Sequence, residues 1–395
     1  VKDGLGELEV VCGAPNVAQG QIVALARAGA LLPKGKLEAN SIRGVRSEGM
    51  LCAEDELGLS DDHAGLLVFP PETPVGITLD KLFGGPDIVF EVENKSLTHR
   101  PDLWGHYGFA REFSAIYGKT LRTDLFTYAP QTPVAPLDPL RIENLAPELC
   151  PRYSALVVRK VAVAPSPDWM QQRLRAVGLR PINNLVDVTN YVMLELSQPM
   201  HAFDRRQIAG DLIRVRRAEN GEPFTTLDKQ EHTLTPENLV IADASRPVAL
   251  GGVMGGLDSE IVPDTTSIVL ESANFHPACI RRTATRFALR TESAQRFEKS
   301  QDPAVTATAI WRAVELLRLT CPELEIASEL LDSWPNPPKP VEIEIDFDTI
   351  NDRLGERLPE ERIIEILRSL HFGVKVLGNK SLLIAVPSYR ATKDV

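Results

Sequence analysis

Two proline-spaced segments divide this chain into parts that must fold around separate cores. The first is YAPQTPVAPLDPL at residues 128–140, and the second is SWPNPPKP at residues 333–340. Proline fixes φ and has no backbone N–H, so neither a helix nor an interior strand continues through such a stretch. A chain of 395 residues is also too long for one core of ordinary size. We therefore expect an α+β multidomain protein in which each part forms its own module.

Short apolar runs separated by glycine and proline characterise residues 1–83: LEVVC, QIVALA, GALLP, GMLC and GLLVF. Runs of this length at this spacing predict a small antiparallel β-barrel. Residues 84–138 then contain EVENKSLTHRPDLWGHYGFAREFSAIYG and most of the first proline-spaced stretch, which has no periodic apolar face. We interpret this part as a connecting α/β segment and linker.

Residues 139–335 mix helix and strand signals. Ser166 and Pro167 can cap and open one helix, while Asp302 and Pro303 can cap and open a second one with a regular apolar face. Between these helices, LIRVRRA, NLVIAD and SIVLESA are typical of strands. This part therefore predicts one mixed α+β domain.

Residues 336–395 predict a small helix-and-hairpin module. The strand VEIEIDF leads to a helix with Ile363, Ile366, Leu367 and Leu370 on one face, and the strands VKVL and LLIAVPSY follow. The chain has no initiator methionine, and its last segment, VPSYRATKDV, stops just after a strand with nothing to pack on it. We expect a fragment cut at both ends, with this last module truncated.

A formal net charge of −11 argues against nucleic-acid binding through overall positive charge, because phosphate binding rewards clustered Lys and Arg. Two local clusters could bind phosphate instead, although a solvated surface explains each of them about equally well. One cluster is Lys34, Lys36, Arg43 and Arg46, and the other is Arg281, Arg282, Arg286, Arg290 and Arg296.

Five widely spaced cysteines without a Cys-x-x-Cys pair are typical of buried thiols in a reducing compartment. No stretch approaches the ~18 consecutive apolar residues of a membrane helix, and the first residues lack a signal-peptide pattern. We expect a cytoplasmic protein that does not bind a membrane. His99 and His106 have no third ligand at suitable spacing, which favours packing roles over a metal site.

The segment GVRSEGMLC at residues 44–52 is by itself no more than a glycine-bracketed hairpin. Together with VVCGAPNV upstream and AEDELGL downstream, it resembles the oligonucleotide-binding-fold tRNA-binding domain of bacterial phenylalanyl-tRNA synthetase beta subunits. In that fold, one barrel face meets the nucleic acid. The resemblance implies tRNA contacts from Arg43, Arg46 and Ser47, with Lys34 and Lys36 beside them.

The segment NNLVDVTNYVMLELSQPMHAFD at residues 183–204 places polar groups in a mostly apolar stretch, where they must be paired or functional. Further on, ALGGVMGG supplies glycines that permit close approach to a ligand but has neither phosphate-loop nor dinucleotide-fold spacing. These segments, with VLESANF and RTESAQRFE, resemble the proofreading domain of the same beta subunits. The resemblance maps an editing pocket onto His201, Gly255, Glu271, Thr291 and Ser293, with Asn190 nearby.

A proofreading pocket of this family would distinguish tyrosine from phenylalanine by one hydroxyl group. A hydrophobic activation pocket rejects such an added hydroxyl by only about 100-fold, so a second pocket is needed. We expect Glu271 to recognise the tyrosine hydroxyl and Gly255 to offer main-chain donors to the oxyanion. His201 could orient the water or the substrate, or act as a base. Position 293 is often alanine in the family, so Ser293 could narrow the pocket or add a hydrogen bond.

The resemblance also implies Mg²⁺, ATP and a partner chain. Asp394 would be a first magnesium ligand, with further ligands beyond the chain end. No ATP-binding signature is present, so activation with ATP would take place on an alpha subunit in an α2β2 heterotetramer. Two other functions fit the same segments: a non-catalytic scaffold that presents tRNA(Phe), and a free-standing hydrolase of mischarged tRNA.

Overall fold

The structure is a computed structural model that describes residues 1–59, 63–83, 88–121, 130–378 and 380–390. The chain forms two compact units. The first consists of Val1–Val92 and Asp168–Pro181, and the second consists of Glu93–Pro167 and Ile182–Val395.

Within the described residues of the first unit, the strands pair two by two in antiparallel ladders: β1 with β2, β3 with β10, β4 with β9, β5 with β6, and β7 with β8. Ala24, Ala26 and Cys52 form the centre of a small core. The predicted antiparallel β pattern is confirmed, and its closure into a barrel stays a prediction. The strands are β1 (Lys2–Asp3), β2 (Gly6–Glu7), β3 (Ile22–Val23), β4 (Leu25–Arg27), β5 (Leu31–Leu32), β6 (Gly35–Lys36), β7 (Asn40–Ile42), β8 (Val45–Ser47), β9 (Gly49–Leu51) and β10 (Val68–Phe69).

Among the described residues of the first unit, two segments are α-helices, namely α1 (Leu79–Leu82) and a later helix at Asp168–Ala176, which is α3 in chain order, and Asp55–Leu57 forms a 3-10 turn. The second of these is the helix predicted after Ser166, and it begins at Asp168. Its position in the sequence instead predicts membership of the domain of residues 139–335. Its contacts include the Arg175 Nη2 atom 3.4 Å from Glu54 Oε1, a residue far away in sequence, which the local apolar pattern could not indicate.

The second unit contains the remaining elements described for the chain. Those before residue 260 are α2 (His106–Tyr117), β11 (Arg141–Asn144), β12 (Arg152–Arg159), α4 (Asn184–Leu196), β13 (Met200–Asp204), β14 (Leu212–Arg217), β15 (Pro223–Thr225), β16 (Glu231–Thr233), β17 (Leu239–Ala242), β18 (Pro247–Leu250) and β19 (Met254–Gly255). Those after it are β20 (Ser267–Asn274), α5 (Pro277–Phe287), α6 (Glu292–Phe297), α7 (Val305–Leu317), β21 (Glu325–Ile326), β22 (Leu331–Ser333), β23 (Val341–Asp346), α8 (Phe347–Leu354), α9 (Glu360–Ser369), β24 (Gly373–Val376) and β25 (Ser381–Val386).

Two larger sheets organise residues 141–333. One has the order β11-β14-β17-β18-β19, in which the β11–β14 pair is parallel and the other pairs are antiparallel. The other has the order β13-β20-β12-β21, with β22 also paired to β12, and all its pairs are antiparallel. The strands predicted from LIRVRRA, NLVIAD and SIVLESA are confirmed as β14, β17 and β20.

One apolar core spans both sheets, because alternate residues of each strand point to the same side. Its fully buried members include Tyr153, Phe203, Phe275, Ile213 and Ile241. Burial of each such side chain contributes roughly 1.5–3 kcal/mol. This core fixes the register of the strands that carry the candidate site.

The helix that the sequence predicts to start at Pro303, after Asp302, is α7, and it begins two residues later, at Val305. Asp302 accepts hydrogen bonds from the Ala304 N–H (2.9 Å) and the Ser388 hydroxyl (2.7 Å). Its carboxylate therefore orders the turn before the helix, and the sequence pattern did not reveal the partner at residue 388.

The last module forms the three-stranded sheet β23-β25-β24 with α8 and α9 around a separate core. The predicted strands and the helix containing Ile363 are confirmed. The helix α8 was missed, although Asp346 caps it by accepting the Thr349 N–H (2.7 Å). Its eight residues follow a strand without a break, and the strand signal VEIEIDF obscured the capping residue.

Candidate active site

Most polar groups of the segment 183–204 have structural partners. Asp187 accepts the Ser166 hydroxyl (2.6 Å) and the Ile182 N–H (2.7 Å). Asp204 accepts the Thr265 hydroxyl (2.7 Å). Among the described residues, however, the His201 Nε2 atom is buried and has no hydrogen-bond partner. A buried polar atom without a partner costs about 1–3 kcal/mol, so His201 calls for a ligand. Gln198 Oε1, in the same segment, is also buried without a partner, but the Gln198 amide N–H groups donate to the carbonyls of Pro199 (3.0 Å) and Ala273 (2.8 Å) and so hold the backbone.

His201 and Glu271 lie directly opposite each other on neighbouring strands. The antiparallel register of β13 and β20 pairs His201 with Glu271, so their side chains lie on the same face of the sheet. The third strand, β12, places Tyr153 diagonally opposite, and its hydroxyl donates a hydrogen bond to Glu271 Oε2 (2.5 Å). The structure therefore brings together three titratable side chains that are distant in sequence.

Burial sets the protonation states of this triad. It raises the pKa of Glu271 from 4.5 to about 7, although the hydrogen bond from Tyr153 opposes the rise. Burial and the nearby Glu271 carboxylate raise the pKa of Tyr153 well above its ordinary value. Burial lowers the pKa of His201 from 6.5 to about 4. Near neutral pH, His201 is a neutral imidazole, Tyr153 is a neutral donor, and Glu271 is close to its titration midpoint.

Gly255 lies against the His201 ring. A Cβ atom at position 255 would be 2.7 Å from His201 Cε1 and 3.0 Å from Nε2, so any side chain there would displace the imidazole. The Gly256 N–H donates to the Val248 carbonyl (2.8 Å), which makes the Ala249–Gly255 pair a non-hydrogen-bonded position of the ladder. The Gly255 N–H therefore points away from β18.

Thr291 and Ser293 hold the glycine-rich loop in place. The Thr291 hydroxyl donates to the Val253 carbonyl (2.9 Å) and accepts the Ala294 N–H (3.1 Å), so that it caps α6. The Ser293 hydroxyl donates to the Gly252 carbonyl (3.2 Å). Both hydroxyls bind carbonyl groups of the loop that leads into β19, so Ser293 adds a hydrogen bond here. Asn190 is half-buried on α4, and no hydrogen bond among the described residues joins it to the triad.

The residues predicted to contact tRNA lie in the first unit and differ in accessibility. Lys36, Arg43 and Arg46 are exposed, and Arg43 (φ 51°) and Gly44 (φ 85°) form the tight turn between β7 and β8. Lys34 is exposed but its Nζ atom is 2.9 Å from Asp55. Ser47 is buried.

The hydroxyl of Ser47 is used within the fold. It accepts the Val11 N–H (3.0 Å) and donates to the Gly49 carbonyl (2.9 Å). The exposed cations can be reached by a polyanion, although the Arg46 Nε atom is 3.9 Å from Glu48 Oε1. Ser47 instead stabilises the connection between strands β8 and β9.

Asp394, the predicted magnesium ligand, lies outside the described residues. Among the residues that are described, no group of three or more His, Cys, Asp or Glu is arranged to hold a metal ion. The described part of the chain also contains no helix that is both long and apolar enough to cross a membrane.

Tyr153 was missed by sequence analysis. It is 118 residues from Glu271 in sequence, and the segment CPRYSALVV indicates only a buried strand. The single usable signal was its hydroxyl, because a tyrosine inside a buried strand generally needs a hydrogen-bond partner. The identity of that partner depends on the sheet register.

Three domain models match separate parts of the chain. A model described as "Putative tRNA binding domain" matches residues 1–78, "B3/4 domain" matches residues 149–322, and "tRNA synthetase B5 domain" matches residues 343–395. The fold and these domains define a tRNA synthetase chain with a tRNA-binding domain at its start and the triad inside its B3/4 domain.

Individual relatives identify the family. The chain is 46% identical to the phenylalanine--tRNA ligase beta subunit of Solibacter usitatus over 391 residues, which is 99% of this chain and 49% of that relative. It is 42% identical to the same subunit of Syntrophus aciditrophicus, covering 99% and 48%. The chain belongs to the family of phenylalanine--tRNA ligase beta subunits, and it spans about half the length of the curated relatives it matches.

Among solved structures, an N-terminal fragment of the phenylalanyl-tRNA synthetase beta subunit from Pyrococcus horikoshii aligns over 80% of this chain and 90% of its own. The TM-score is 0.37 and the identity is 15%, a similarity that supports no argument about this site.

The opposite pKa shifts of Glu271 and His201 make a prediction about stability. Between pH 4.5 and about 7 the unfolded chain ionises Glu271 while the folded chain keeps its proton, so this group makes stability fall as pH rises. Between pH 6.5 and about 4 the unfolded chain protonates His201 while the folded chain does not, so this group makes stability fall as pH falls. The two effects oppose each other from pH 4.5 to 6.5.

We therefore expect Glu271→Gln to gain stability relative to the unsubstituted chain as pH rises from 4.5 to 6.5, and His201→Asn to lose it. Thermal unfolding midpoints, measured by circular dichroism across this range, test the prediction. A constant offset between each variant and the unsubstituted chain at all pH values would show that neither group is buried in its neutral form.

Proposed function

We propose that this chain binds tRNA(Phe) and hydrolyses tyrosine from mischarged Tyr-tRNA(Phe), as part of a phenylalanine--tRNA ligase. The observation that carries the proposal is the placement of a buried Glu271, held by Tyr153, opposite an unpartnered His201 on the next strand. Single-turnover hydrolysis of Tyr-tRNA(Phe) and Phe-tRNA(Phe) by the assembled synthetase tests it. Faster clearance of the tyrosyl ester is expected.

Selectivity for tyrosine follows from the hydrogen bonds of Glu271. Tyr153 occupies Oε2, which leaves Oε1 as the acceptor for a hydroxyl of the substrate. A phenylalanyl ester would bury this oxygen without a partner, at a cost of about 1–3 kcal/mol. Tyr153 thus acts as a positioning residue, because its hydrogen bond holds the carboxyl group in one orientation.

Hydrolysis requires a positioned water and a donor for the oxyanion. The neutral His201 imidazole offers Nε2 as an acceptor for a water proton, since its low pKa keeps the ring unprotonated near neutral pH. The Gly255 N–H points away from β18, and the α-carbon of this residue packs against that ring, so we assign this N–H as the donor to the oxyanion of the attacked ester. Water attack at the ester carbonyl then releases tyrosine and the free hydroxyl of the terminal ribose of the tRNA.

Amino-acid activation is assigned to an alpha subunit, with which this subunit would form an α2β2 heterotetramer in the cytoplasm. The names of the relatives as beta subunits support the partner. ATP would then bind through that partner, and Mg²⁺ would involve Asp394.

A non-catalytic scaffold would bind charged tRNA without accelerating ester loss. A free-standing hydrolase would act without an alpha chain, and co-purification of the full-length protein with a second synthetase chain separates it from our proposal.

We propose four functional segments along the chain: tRNA binding at residues 1–83, a connection at 84–138, editing at 139–335 and the small module at 336–395. The domain matches at 1–78, 149–322 and 343–395 are consistent with this order.

Binding of tRNA is tested through the exposed turn between β7 and β8. Replacing Arg43 and Arg46 by alanine is expected to weaken tRNA(Phe) binding. It should also lower the magnitude of the slope of log affinity against log salt by about 1–2, because each phosphate contact releases counterions on binding and two such contacts are lost. Filter binding at several KCl concentrations measures both quantities. Lys34→Ala is the comparison for a single cation and should have a smaller effect, because the Lys34 Nζ atom is 2.9 Å from Asp55, whereas the Arg46 Nε atom is 3.9 Å from Glu48 Oε1. An unchanged salt slope in the double variant would place the tRNA elsewhere.

A further inference from the structure

The exposed face of α5 carries a cationic surface that the proposed editing chemistry does not use. We call it the α5 pocket: an open depression of about 400 Å³ lined by Arg281, Arg282, Arg286, Thr285, Asn238 and Glu237. Arg282 and Arg286 are four residues apart and so lie on one helix face, with Arg281 beside them. All three side chains belong to exposed residues.

The charge of the α5 pocket is largely unneutralised. Across the described residues, none of these three arginines forms an ion pair with a carboxylate, whereas Arg296 on the next helix is paired with Glu292 at 2.6 Å. Glu237 is the one acidic residue that lines the pocket, which leaves a local excess of two positive charges in a chain of net charge −11. Such a concentration of guanidinium groups favours an anionic ligand.

The α5 pocket is built on a fixed framework. The Arg286 Nη1 atom donates to the Thr235 hydroxyl (2.6 Å), and Asn238 Nδ2 donates to the Thr283 hydroxyl (3.1 Å). On the buried side of the helix, Ile280 packs so closely on the glycine-rich loop that a Cβ atom at Gly252 would be 2.8 Å from its Cδ1 atom. Gly252 precedes Gly255 by three residues, so α5 connects the cationic surface with the loop that faces His201.

We propose that the α5 pocket binds backbone phosphates at the acceptor end of tRNA. The identity of the RNA rests on the proposed function, because an aminoacyl ester is carried on the 3′ end and must reach the loop that α5 supports. Guanidinium groups bind phosphate oxygens through two parallel hydrogen bonds, and the Thr285 hydroxyl offers one more donor. A free phosphate compound has the same chemistry, and the experiment distinguishes it from RNA.

The test is binding of uncharged tRNA(Phe) to the assembled synthetase with Arg281, Arg282 and Arg286 replaced by alanine. We expect roughly tenfold weaker binding near 0.1 M salt and a salt slope lower by about 2, because three phosphate contacts are lost. The corresponding triple lysine variant should keep the salt slope, since it keeps the charge. Arg353→Ala, on an exposed face of α8, is the matched control and should change neither quantity.

Two further arms locate the ligand. A minihelix that contains only the acceptor stem and 3′ end should show the same loss in the triple alanine variant. Inorganic phosphate in the millimolar range, at constant ionic strength, should not remove the difference between the two proteins. An unchanged salt slope in the triple alanine variant, or a difference that phosphate abolishes, would overturn the proposal.

Failure of this inference is distinguishable from failure of the editing proposal. Uncharged tRNA needs no hydrolysis, so the binding result stands even if the synthetase does not clear Tyr-tRNA(Phe). If editing occurs, the triple alanine variant should raise the enzyme concentration required for half-maximal single-turnover hydrolysis and leave the saturating rate unchanged. A lower saturating rate with an unchanged half-maximal concentration would contradict a binding role.

Discussion

Replacing Glu271 by alanine is expected to reduce the preference for the tyrosyl over the phenylalanyl ester by about tenfold to a hundredfold. Phenylalanine no longer buries an unpaired carboxyl oxygen, and tyrosine loses its acceptor, so that the two hydrolysis rates approach each other. Single-turnover hydrolysis of both charged tRNAs by the assembled synthetase gives the ratio. An unchanged ratio in this variant would place the recognition of the hydroxyl at another residue.

Tyr153→Phe is the control that separates positioning from recognition. It removes the hydrogen bond to Oε2 and keeps the carboxyl group. Because that bond lowers the pKa of Glu271, its loss should raise this pKa above about 7 and shift the pH profile of tyrosyl-ester hydrolysis toward higher pH. A purely structural role for Tyr153 would change the unfolding midpoint and leave the shape of the pH profile as it was.

Replacing His201 by alanine is expected to slow hydrolysis of Tyr-tRNA(Phe) by about 100-fold, the lower range for loss of a general base. Charging with phenylalanine should remain near normal, since activation is assigned to the alpha subunit. Gly255→Ala is a second test that leaves the imidazole in place. Its Cβ would overlap His201 Cε1 at 2.7 Å, so the ring must move and hydrolysis should slow as well.

Unfolding midpoints of both variants show whether the fold is intact. If the His201 variant clears the tyrosyl ester at the original rate while charging is normal, His201 is a structural residue and the pocket lies elsewhere.

Much of the fold could be predicted because local signals agree with the final structure. The strands β14, β17 and β20 were visible as apolar runs, and α9 was visible through the spacing around Ile363. Helix α3 was also predicted, but its membership of the first unit was not. An apolar helix face shows that something covers it, and the identity of the covering element depends on contacts distant in sequence.

For the candidate site, the sequence indicated individual residues, except Tyr153, but not the contacts between them. Motif resemblance indicated His201 and Glu271, and the register of β13 and β20 now shows that they are direct neighbours. The roles of Thr291 and Ser293 depend on the carbonyl groups of residues 252 and 253, which no side-chain pattern indicates. The structural role of Ser47 was also not predictable. Its neighbours Arg46 and Glu48 are polar, so the sequence gave no reason to expect that Ser47 is buried and bonded to Val11 and Gly49.

The central claim is that the Glu271–His201 pair supports hydrolysis of a tyrosyl ester. Single-turnover clearance of Tyr-tRNA(Phe) and Phe-tRNA(Phe), by the assembled synthetase and by its His201→Ala variant, tests it most directly. The account predicts that the unsubstituted enzyme clears the tyrosyl ester at least about tenfold faster than the phenylalanyl ester, and that the variant loses this activity. Decay of both esters at the spontaneous rate, or identical rates with and without His201, would contradict it.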